Sequence, residues 1–245
     1  ISPRMASRSA GSLFFVLLVE FGSCFQADVL RPGSFAVASR SRTIEAIAVS
    51  PVNSEPFLRI GHGYDIHRMA SREEAGQPVV ISGVKFDGSD APDFELGCVA
   101  HSDGDVVYHS VVDAILGALT LPDIGQLFPD NDPRLKGANS EIFMEEAFVR
   151  MQQRGYRIGN CDVTLICQKP RVNVEHAGNQ VKRLMIDNLA RLLRSDVSRI
   201  NVKARTHEKV DSVGECRALE CHVVLVIERD PSLPPSTEPA EPVVA

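Results

Sequence analysis

The chain has 245 residues, of which 44% are hydrophobic and 24% charged, a composition that excludes collagen-like, fully disordered and multi-span membrane proteins. The net charge of −6 argues against a nucleic-acid partner, because such binding neutralises phosphates with a basic surface. The six cysteines form no C-x-x-C pair and no framework spacing, so we expect reduced thiols rather than disulfides.

The first 56 residues predict a targeting leader. Residues 13–19 are a short apolar run after Arg4 and Arg8, which is typical of a signal peptide and too short to span a bilayer. Residues 28–54 are rich in Ser, Ala and Arg and poor in acids, as organelle transit peptides are. The two together predict import into a plastid, with no membrane attachment of the mature protein. The alternative is a disordered leader that carries no address.

The C-terminal segment 230–245 holds five prolines and no amphipathic period. Such a segment cannot bury enough apolar area to offset its ordering entropy, so we expect a disordered tail. No internal repeat is visible between the two ends. One folded domain is therefore expected over residues 57–229.

Strands and helices alternate along this domain. β-Branched, extended segments predict strands at 57–67, 78–86, 156–168, 200–206 and 218–228, and helical periodicity predicts helices at 103–119, 140–155 and 175–194. The helix at 140–155 has Ser140 as its expected N-cap and Gly155 as its stop. This order predicts an α/β fold, an α+β sandwich in which helices cover one face of a single sheet.

A first polar cluster lies in HGYDIH (62–67). Asp65 and His67 are two residues apart, so an extended backbone points both side chains the same way. A carboxylate and an imidazole suit a borderline divalent cation such as zinc. His109 is the candidate third ligand, and it shares a helix face with Asp105 and Asp113, either of which could orient its other ring nitrogen.

A second cluster, AHSDGD (100–105), precedes the helix that carries His109. Helix starts present unpaired N–H groups and a positive dipole end, which suit phosphate. The alternative is that Ser102 or Asp103 only caps the helix. Capping alone leaves His101 unexplained.

Two later segments are further candidates. DIGQLFPDND (123–132) is rich in turn formers and carboxylates, and a plain surface loop is its alternative interpretation. ARTHEKVDSVGE (204–215) follows a strand. There Thr206 offers a hydroxyl, and Glu208 offers the hard oxygen ligand that Mg²⁺ takes when it is shared with phosphates.

These segments carry a family resemblance. RIGHGYDIH (59–67), AHSDGDVVYHSVVDAILGAL with the following DIG and LFPD (100–130), GY-x-I-x-N-x-DVT (155–164) and INVKA-x-T-x-EK (200–209) occur in one order. In order and approximate spacing they resemble the 2-C-methyl-D-erythritol 2,4-cyclodiphosphate synthase family of isoprenoid biosynthesis, over about residues 58–229. The VDSVGE segment differs from many bacterial members at Ser212 and Glu215, and with the leader it resembles the plastid type.

The resemblance implies a homotrimer with active sites between subunits. It implies Zn²⁺, or another divalent transition metal, on Asp65, His67 and His109, and Mg²⁺ or Mn²⁺ on Glu208. It implies that His101 and Thr206 steady the transition state. The substrate-binding residues it implies are Asp65, His67, His101, Ser102, Asp123, Ile124, Gly125, Phe128, Pro129, Asp130, Asn131, Asp132, Arg205, Thr206, His207 and Glu208. The cytosine pocket it implies is formed by Cys167, Gln168, Lys169, Pro170, Arg171, Val172 and Asn173.

The reaction implied is the cyclisation of 4-diphosphocytidyl-2-C-methyl-D-erythritol 2-phosphate with release of CMP. This small cytidine diphosphate is then the expected partner. A zinc-dependent phosphohydrolase with a metal-bound water is the strongest alternative enzyme. A non-catalytic trimer that binds an isoprenoid or a nucleotide is the alternative from another class, and the intact set of candidate ligands argues against it.

Overall fold

The computed structural model describes residues 55–233. The predicted leader, 1–56, and the predicted tail, 230–245, lie largely outside these residues, and their boundaries stay predictions. Within the described part of the chain, no helix is both long enough and apolar enough to cross a membrane.

The predicted fold class, a mixed α/β domain built on one main sheet, is confirmed. The strands are β1 (Leu58–Ser71), β2 (Val80–Ile81), β3 (Val84–Lys85), β4 (Leu96–Val99), β5 (Tyr156–Ile166), β6 (Glu175–His176), β7 (Asn179–Gln180), β8 (Ile200–Arg205) and β9 (Ala218–Arg229). The α-helices are α1 (Arg72–Ala75), α2 (Val106–Ala118), α3 (Ile124–Leu127), α4 (Glu141–Gln153) and α5 (Val181–Leu192), with 3₁₀ turns at Pro133–Leu135 and Val197–Arg199.

The main sheet has the strand order β4-β1-β9-β5-β8. Only β5 and β8 pair in parallel, and the other neighbours are antiparallel. Along β9, buried and more exposed residues alternate, which is the pattern of a sheet with one covered face. The helices cover that face, and the core lies between the two layers.

Two glycines in β1 bring α2 close to the sheet. A Cβ at Gly63 would lie 1.8 Å from the Ser110 carbonyl oxygen, and one at Gly61 would lie 1.8 Å from that of Ala114. No side chain fits there, so α2 packs directly on the β1 backbone. This close contact brings His109 of α2 next to the side chains of β1.

Two sequence-based expectations were wrong, and one strand was missed. The strand expected at 78–86 is the β2–β3 hairpin, because Ser82 and Gly83 take φ values of 52° and 74°, as a tight hairpin turn requires. The helix expected from residue 175 begins at Val181, because β6 and β7 form a hairpin before it. The edge strand β4 was not predicted.

Candidate metal centre and adjacent cavity

Asp65, His67 and His109 meet where β1 passes under α2. The Asp65 Oδ2 lies 3.0 Å from the His67 Nε2 and 3.1 Å from the His109 Nδ1. The two ring nitrogens lie 3.1 Å apart. The three side chains predicted as metal ligands therefore converge on one point, although His67 on β1 and His109 on α2 are 42 residues apart in sequence.

The electrostatics of this cluster are tightly coupled. Burial alone would raise the pKa of Asp65, but hydrogen bonds from His109 and His67 outweigh burial and hold that pKa far below its usual range. Burial would lower the pKa of His109, but the Asp65 carboxylate outweighs it and raises that pKa. The carboxylate is thus ionised at neutral pH and draws positive charge toward itself.

The donor set fits a divalent transition metal. One carboxylate and two imidazoles are ligands that Zn²⁺ and similar ions accept, and their atoms lie within 4.8 Å of one another. In a tetrahedral zinc site the ligand atoms are separated by about 3.3 Å, given metal–ligand bonds of about 2.0–2.1 Å. The three observed distances between donor atoms, 3.0, 3.1 and 3.1 Å, are within a few tenths of an ångström of that value.

The expected support for His109 from Asp105 or Asp113 is wrong. The His109 Nε2 lies 2.9 Å from the Ser140 Oγ and 3.3 Å from the Ser102 Oγ. Asp113 instead accepts a hydrogen bond from the Ile124 backbone N–H, which fixes the start of α3. His109 and Asp113 both lie on α2, as predicted, but the Asp113 carboxylate binds the backbone at the start of α3 and not His109.

Asp105 is the N-cap of α2, so the alternative interpretation, in which Ser102 or Asp103 caps this helix, is wrong. Its carboxylate accepts hydrogen bonds from the backbone N–H groups of Val107 and Tyr108 at the helix start. The same carboxylate accepts from Ser82 and Gly83 in the β2–β3 turn. Asp105 is fully buried, and it joins the hairpin to the helix rather than holding His109.

A cavity of about 260 Å³ lies against the cluster. Its wall consists of His67, Ala100, His101, Ser102, His109, Ile124, Gly125, Phe128, Asp130, Leu135 and Phe143. The segment expected to be a substrate loop thus supplies four of the lining residues. Phe128 packs on Phe143 with ring centroids 4.6 Å apart, so one side of the cavity is apolar.

The remaining residues of the 123–132 segment shape the loop. Asp123 caps α3 by accepting from the Gln126 N–H. The Asp132 carboxylate pairs with Arg134, which holds the pKa of Asp132 at about 2, and the Asp132 carbonyl oxygen lies 3.1 Å from the His101 Nε2. Pro129 and Asn131 are absent from the wall that the described residues form.

The other candidate residues lie along the β5–β8 edge. The segment 167–173 begins where β5 ends, and the Cys167 N–H donates to the Arg205 carbonyl oxygen at 2.9 Å. The Thr206 hydroxyl donates to the Glu208 carboxylate at 2.9 Å, and both side chains are exposed. His207 contacts Asp211 at 2.8 Å. We call residues 167–173 and 205–208 the β8 region.

The β8 region is remote from the metal ligands within one chain. Asp65 pairs with Cys221 on β9, which faces Leu165 on β5, and Leu165 pairs with Ala204 on β8. Three strand spacings therefore separate the backbones of Asp65 and Ala204, a distance of about 14 Å. Among the described residues that line the cavity, neither Thr206 nor Glu208 occurs.

Ser140 is the residue at this centre that sequence reasoning missed. It stands at the N-cap position of α4, as predicted, but its side chain makes no capping hydrogen bond. Its hydroxyl instead donates to the Asp103 carboxylate, and its oxygen lies beside His109. A serine before a helix looks like an ordinary cap, so the local pattern gives no signal of this role.

Comparison with known proteins gives consistent matches. The sequence model of the YgbB family matches residues 58–228. The chloroplastic 2-C-methyl-D-erythritol 2,4-cyclodiphosphate synthase of Oryza sativa subsp. japonica is 48% identical over 200 residues, which are 81% of this chain and 83% of the relative. The synthase of that name from Proteus mirabilis (strain HI4320) is 44% identical, over 71% of this chain and 98% of the relative. The solved structure of IspF from Plasmodium falciparum in a CDP complex is 36% identical, with a TM-score of 0.59 over 72% of this chain and 99% of that chain.

Proposed function

Because the chain belongs to the YgbB family, we propose that it acts as a 2-C-methyl-D-erythritol 2,4-cyclodiphosphate synthase. Its substrate is 4-diphosphocytidyl-2-C-methyl-D-erythritol 2-phosphate, and its products are the cyclic diphosphate and CMP. Besides the relatives of that name, the observation that carries this proposal is the triangle of Asp65, His67 and His109 donor atoms at the cavity wall.

The reaction is an intramolecular phosphoryl transfer. An oxygen of the 2-phosphate attacks the β-phosphorus of the diphosphate and forms a new P–O bond. The bond from the β-phosphorus to the bridging oxygen breaks, and CMP leaves with that oxygen. Two phosphate groups repel each other, so the site must align them and neutralise their charge, and it needs no protein nucleophile.

Two kinds of metal ion belong to this site. Asp65, His67 and His109 would hold Zn²⁺ or another divalent transition metal, and Glu208 would hold Mg²⁺ or Mn²⁺ together with the substrate diphosphate. When bound, the ions supply the positive charge that offsets the phosphates. The exposed Glu208 carboxylate supports the second assignment, because Mg²⁺ is usually held by one or two carboxylates together with substrate phosphates.

The cavity holds the sugar-alcohol part of the substrate. His101 and Ser102 contact the phosphate at its polar side, and residues 123–125 and 128–132 hold the methylerythritol chain. The packed rings of Phe128 and Phe143 give that chain an apolar wall. The Asp132 carbonyl oxygen accepts from His101, and this contact orients the imidazole toward the transition-state charge.

The β8 region receives the other end of the substrate. Residues 167–173 form the cytosine pocket, and Arg205, Thr206 and His207 bind next to the diphosphate. The hydrogen bond from Cys167 to Arg205 supports this assignment, since it ties the two segments into one surface. Thr206 steadies the charge that develops in the transition state.

We further propose a homotrimer in which each active site lies between two subunits. The backbones of Asp65 and Ala204 in one chain are separated by three strand spacings, about 14 Å. This separation supports an arrangement in which the β8 region of a neighbouring subunit completes the site. The uncovered sheet face also carries apolar side chains, with Ile60 72% and Val224 49% exposed. An apolar face of this kind suits contact with further copies of the chain.

A plastid is the proposed location. The rice relative is named as chloroplastic, and the predicted leader over residues 1–56 has the composition of a signal peptide followed by a transit peptide.

The proposal is tested by incubating the purified protein with its substrate in Zn²⁺ and Mg²⁺. We expect equimolar CMP and cyclic diphosphate, observed by phosphorus NMR. Free phosphate in place of the cyclic product identifies a phosphohydrolase. Binding of CDP without any turnover identifies a non-catalytic nucleotide-binding protein.

A further inference from the structure

We propose that Ser140, held by Asp103, is a positioning residue that orients His109 so that its Nδ1 faces the metal. This inference rests on the proposed metal site, and it assigns the support of a metal ligand to the serine at the N-cap position of α4. The connected groups come from β1, the loop before α2, α2 itself and the start of α4. They form one chain of contacts from Asp103 through Ser140 and His109 to Asp65.

The direction of these hydrogen bonds follows from a count of protons. A serine hydroxyl has one proton to donate. The Ser140 Oγ lies 2.5 Å from the Asp103 Oδ1, and an ionised carboxylate can only accept, so the Ser140 proton points to Asp103. Toward His109, at 2.9 Å, the Ser140 oxygen can then only accept.

The Ser140 acceptor determines which ring nitrogen of His109 carries the proton. Its Nε2 must carry the proton that Ser140 accepts, because two facing lone pairs would repel each other. The Nδ1 is then the nitrogen that gives its lone pair to the ion, and it is the atom that faces Asp65 and His67. Ser140 thus selects the nitrogen on the correct side of the ring.

Asp103 is itself firmly held. Its Oδ2 accepts the Ser140 backbone N–H at 3.0 Å, and its Oδ1 accepts the Asp105 backbone N–H at 3.2 Å. Both oxygens face donors, so an amide at this position would set an N–H₂ group against an N–H in either orientation. Asp103→Asn therefore cannot reproduce the wild-type pattern, although its shape is nearly the same.

Ser102 offers a second hydroxyl near the same nitrogen. Its Oγ lies 3.3 Å from the His109 Nε2 and accepts the Gly104 N–H at 3.3 Å. Both contacts are longer than the contact with Ser140. Ser102 also lines the cavity, where it is assigned to substrate, whereas Ser140 is fully buried. The geometry favours Ser140 as the main acceptor.

The test compares zinc affinity, measured by competition with a chelator, across four proteins. We expect Ser140→Ala and Asp103→Asn to bind zinc about 10- to 100-fold more weakly than wild type, as for other partners of metal ligands. Ser110→Ala is the matched control. Ser110 is also fully buried, but its hydroxyl donates to the Val106 and Cys221 carbonyl oxygens, so this variant should keep wild-type affinity.

Two further measurements separate positioning from a general loss of structure. In the zinc-loaded wild type, nitrogen-edited NMR should show a His109 Nε2–H that exchanges slowly with solvent, and Ser140→Ala should accelerate this exchange. Excess zinc should restore most of the turnover of Ser140→Ala, because the ligand is still present.

The outcomes for the metal site and for Ser140 differ. Wild-type protein that binds neither zinc nor another divalent transition metal overturns the proposed site. Wild-type protein that binds zinc, with Ser140→Ala and Asp103→Asn binding it equally well, overturns the role of Ser140 alone. If both variants fail to fold, a rapidly exchanging or absent Nε2–H in the wild type overturns it as well.

Discussion

The metal centre and the β8 region are built in opposite ways. At the metal centre, side chains from four elements interlock, and His109 is held on both of its ring nitrogens. In the β8 region, Arg205, Thr206 and Glu208 are exposed, and the Thr206 hydroxyl donates a hydrogen bond to its near neighbour Glu208. One half of the proposed site is therefore complete in a single chain, whereas the other half presents groups for a ligand or a neighbouring subunit to engage.

The largest expected effect is that of His109→Ala at the metal centre. Removing the ligand should abolish zinc binding, and with it several kcal/mol of charge stabilisation, so we expect turnover to fall by at least about a thousandfold. Metal analysis and CMP release check this. His176→Ala is the control, since this half-buried histidine lies in the β6–β7 hairpin and contacts the Gly88 carbonyl oxygen. Stoichiometric zinc in His109→Ala would remove this residue from the ligand set.

Thr206→Ala should lower turnover but leave zinc binding unchanged, unlike His109→Ala, which should lose both. Loss of one group that stabilises transition-state charge typically costs about 10²- to 10³-fold in kcat, and we expect the lower end. Zinc content should remain that of wild type, because three strand spacings, about 14 Å, separate the backbones of Asp65 and Ala204 in one chain. A loss of zinc together with turnover would contradict the separation of the two regions.

The contrast between the regions also explains what the sequence could predict. Asp65 and His67 follow from strand alternation, and the α2 face that carries His109 follows from helical periodicity. These signals are local. The contact of Ser140 with Asp103 joins residues 37 positions apart, and only the packing of α4 beside α2 creates it.

The missed hairpins have a related cause. Residues 78–86 are β-branched enough to suggest one strand, but non-glycine Ser82 takes a positive φ of 52° at the turn. Ala177 does the same in the β6–β7 hairpin, with a φ of 48°. Serine and alanine rarely adopt this conformation, so tertiary contacts override local propensity at both turns.

Glu208→Gln should sharpen the comparison with a smaller effect. The amide keeps one oxygen but loses the charge that binds Mg²⁺, so we expect the Mg²⁺ concentration for half-maximal turnover to rise about tenfold. Zinc affinity should be unchanged, and thermal unfolding should shift little, because Glu208 is exposed. An unaltered Mg²⁺ dependence would show that Glu208 is not a ligand of the second ion.

The smallest expected effect comes from recombining the two halves. His109→Ala and Thr206→Ala subunits, each expected to keep about 1% of wild-type turnover or less, are mixed in equal amounts, dissociated and reassembled. If each site takes His109 from one chain and Thr206 from its neighbour, random assortment leaves both halves intact in about one quarter of the sites. Turnover should then recover to about a quarter of the wild-type value.

A second mixture makes this result decisive. Wild-type subunits are mixed equally with a His109→Ala/Thr206→Ala double variant. A site shared between chains then needs two wild-type neighbours and again gives about one quarter of full turnover, whereas a site within one chain gives about one half. Equal recovery of turnover in the two mixtures supports the shared site.

The contrary outcome is no recovery in the first mixture and one half of full turnover in the second, with mixed trimers confirmed by mass. It would place both residues in one site of the same chain. The separation of about 14 Å between the Asp65 and Ala204 backbones argues for the first result, because it sets the metal ligand on β1 apart from the end of β8, where Thr206 follows, within one chain.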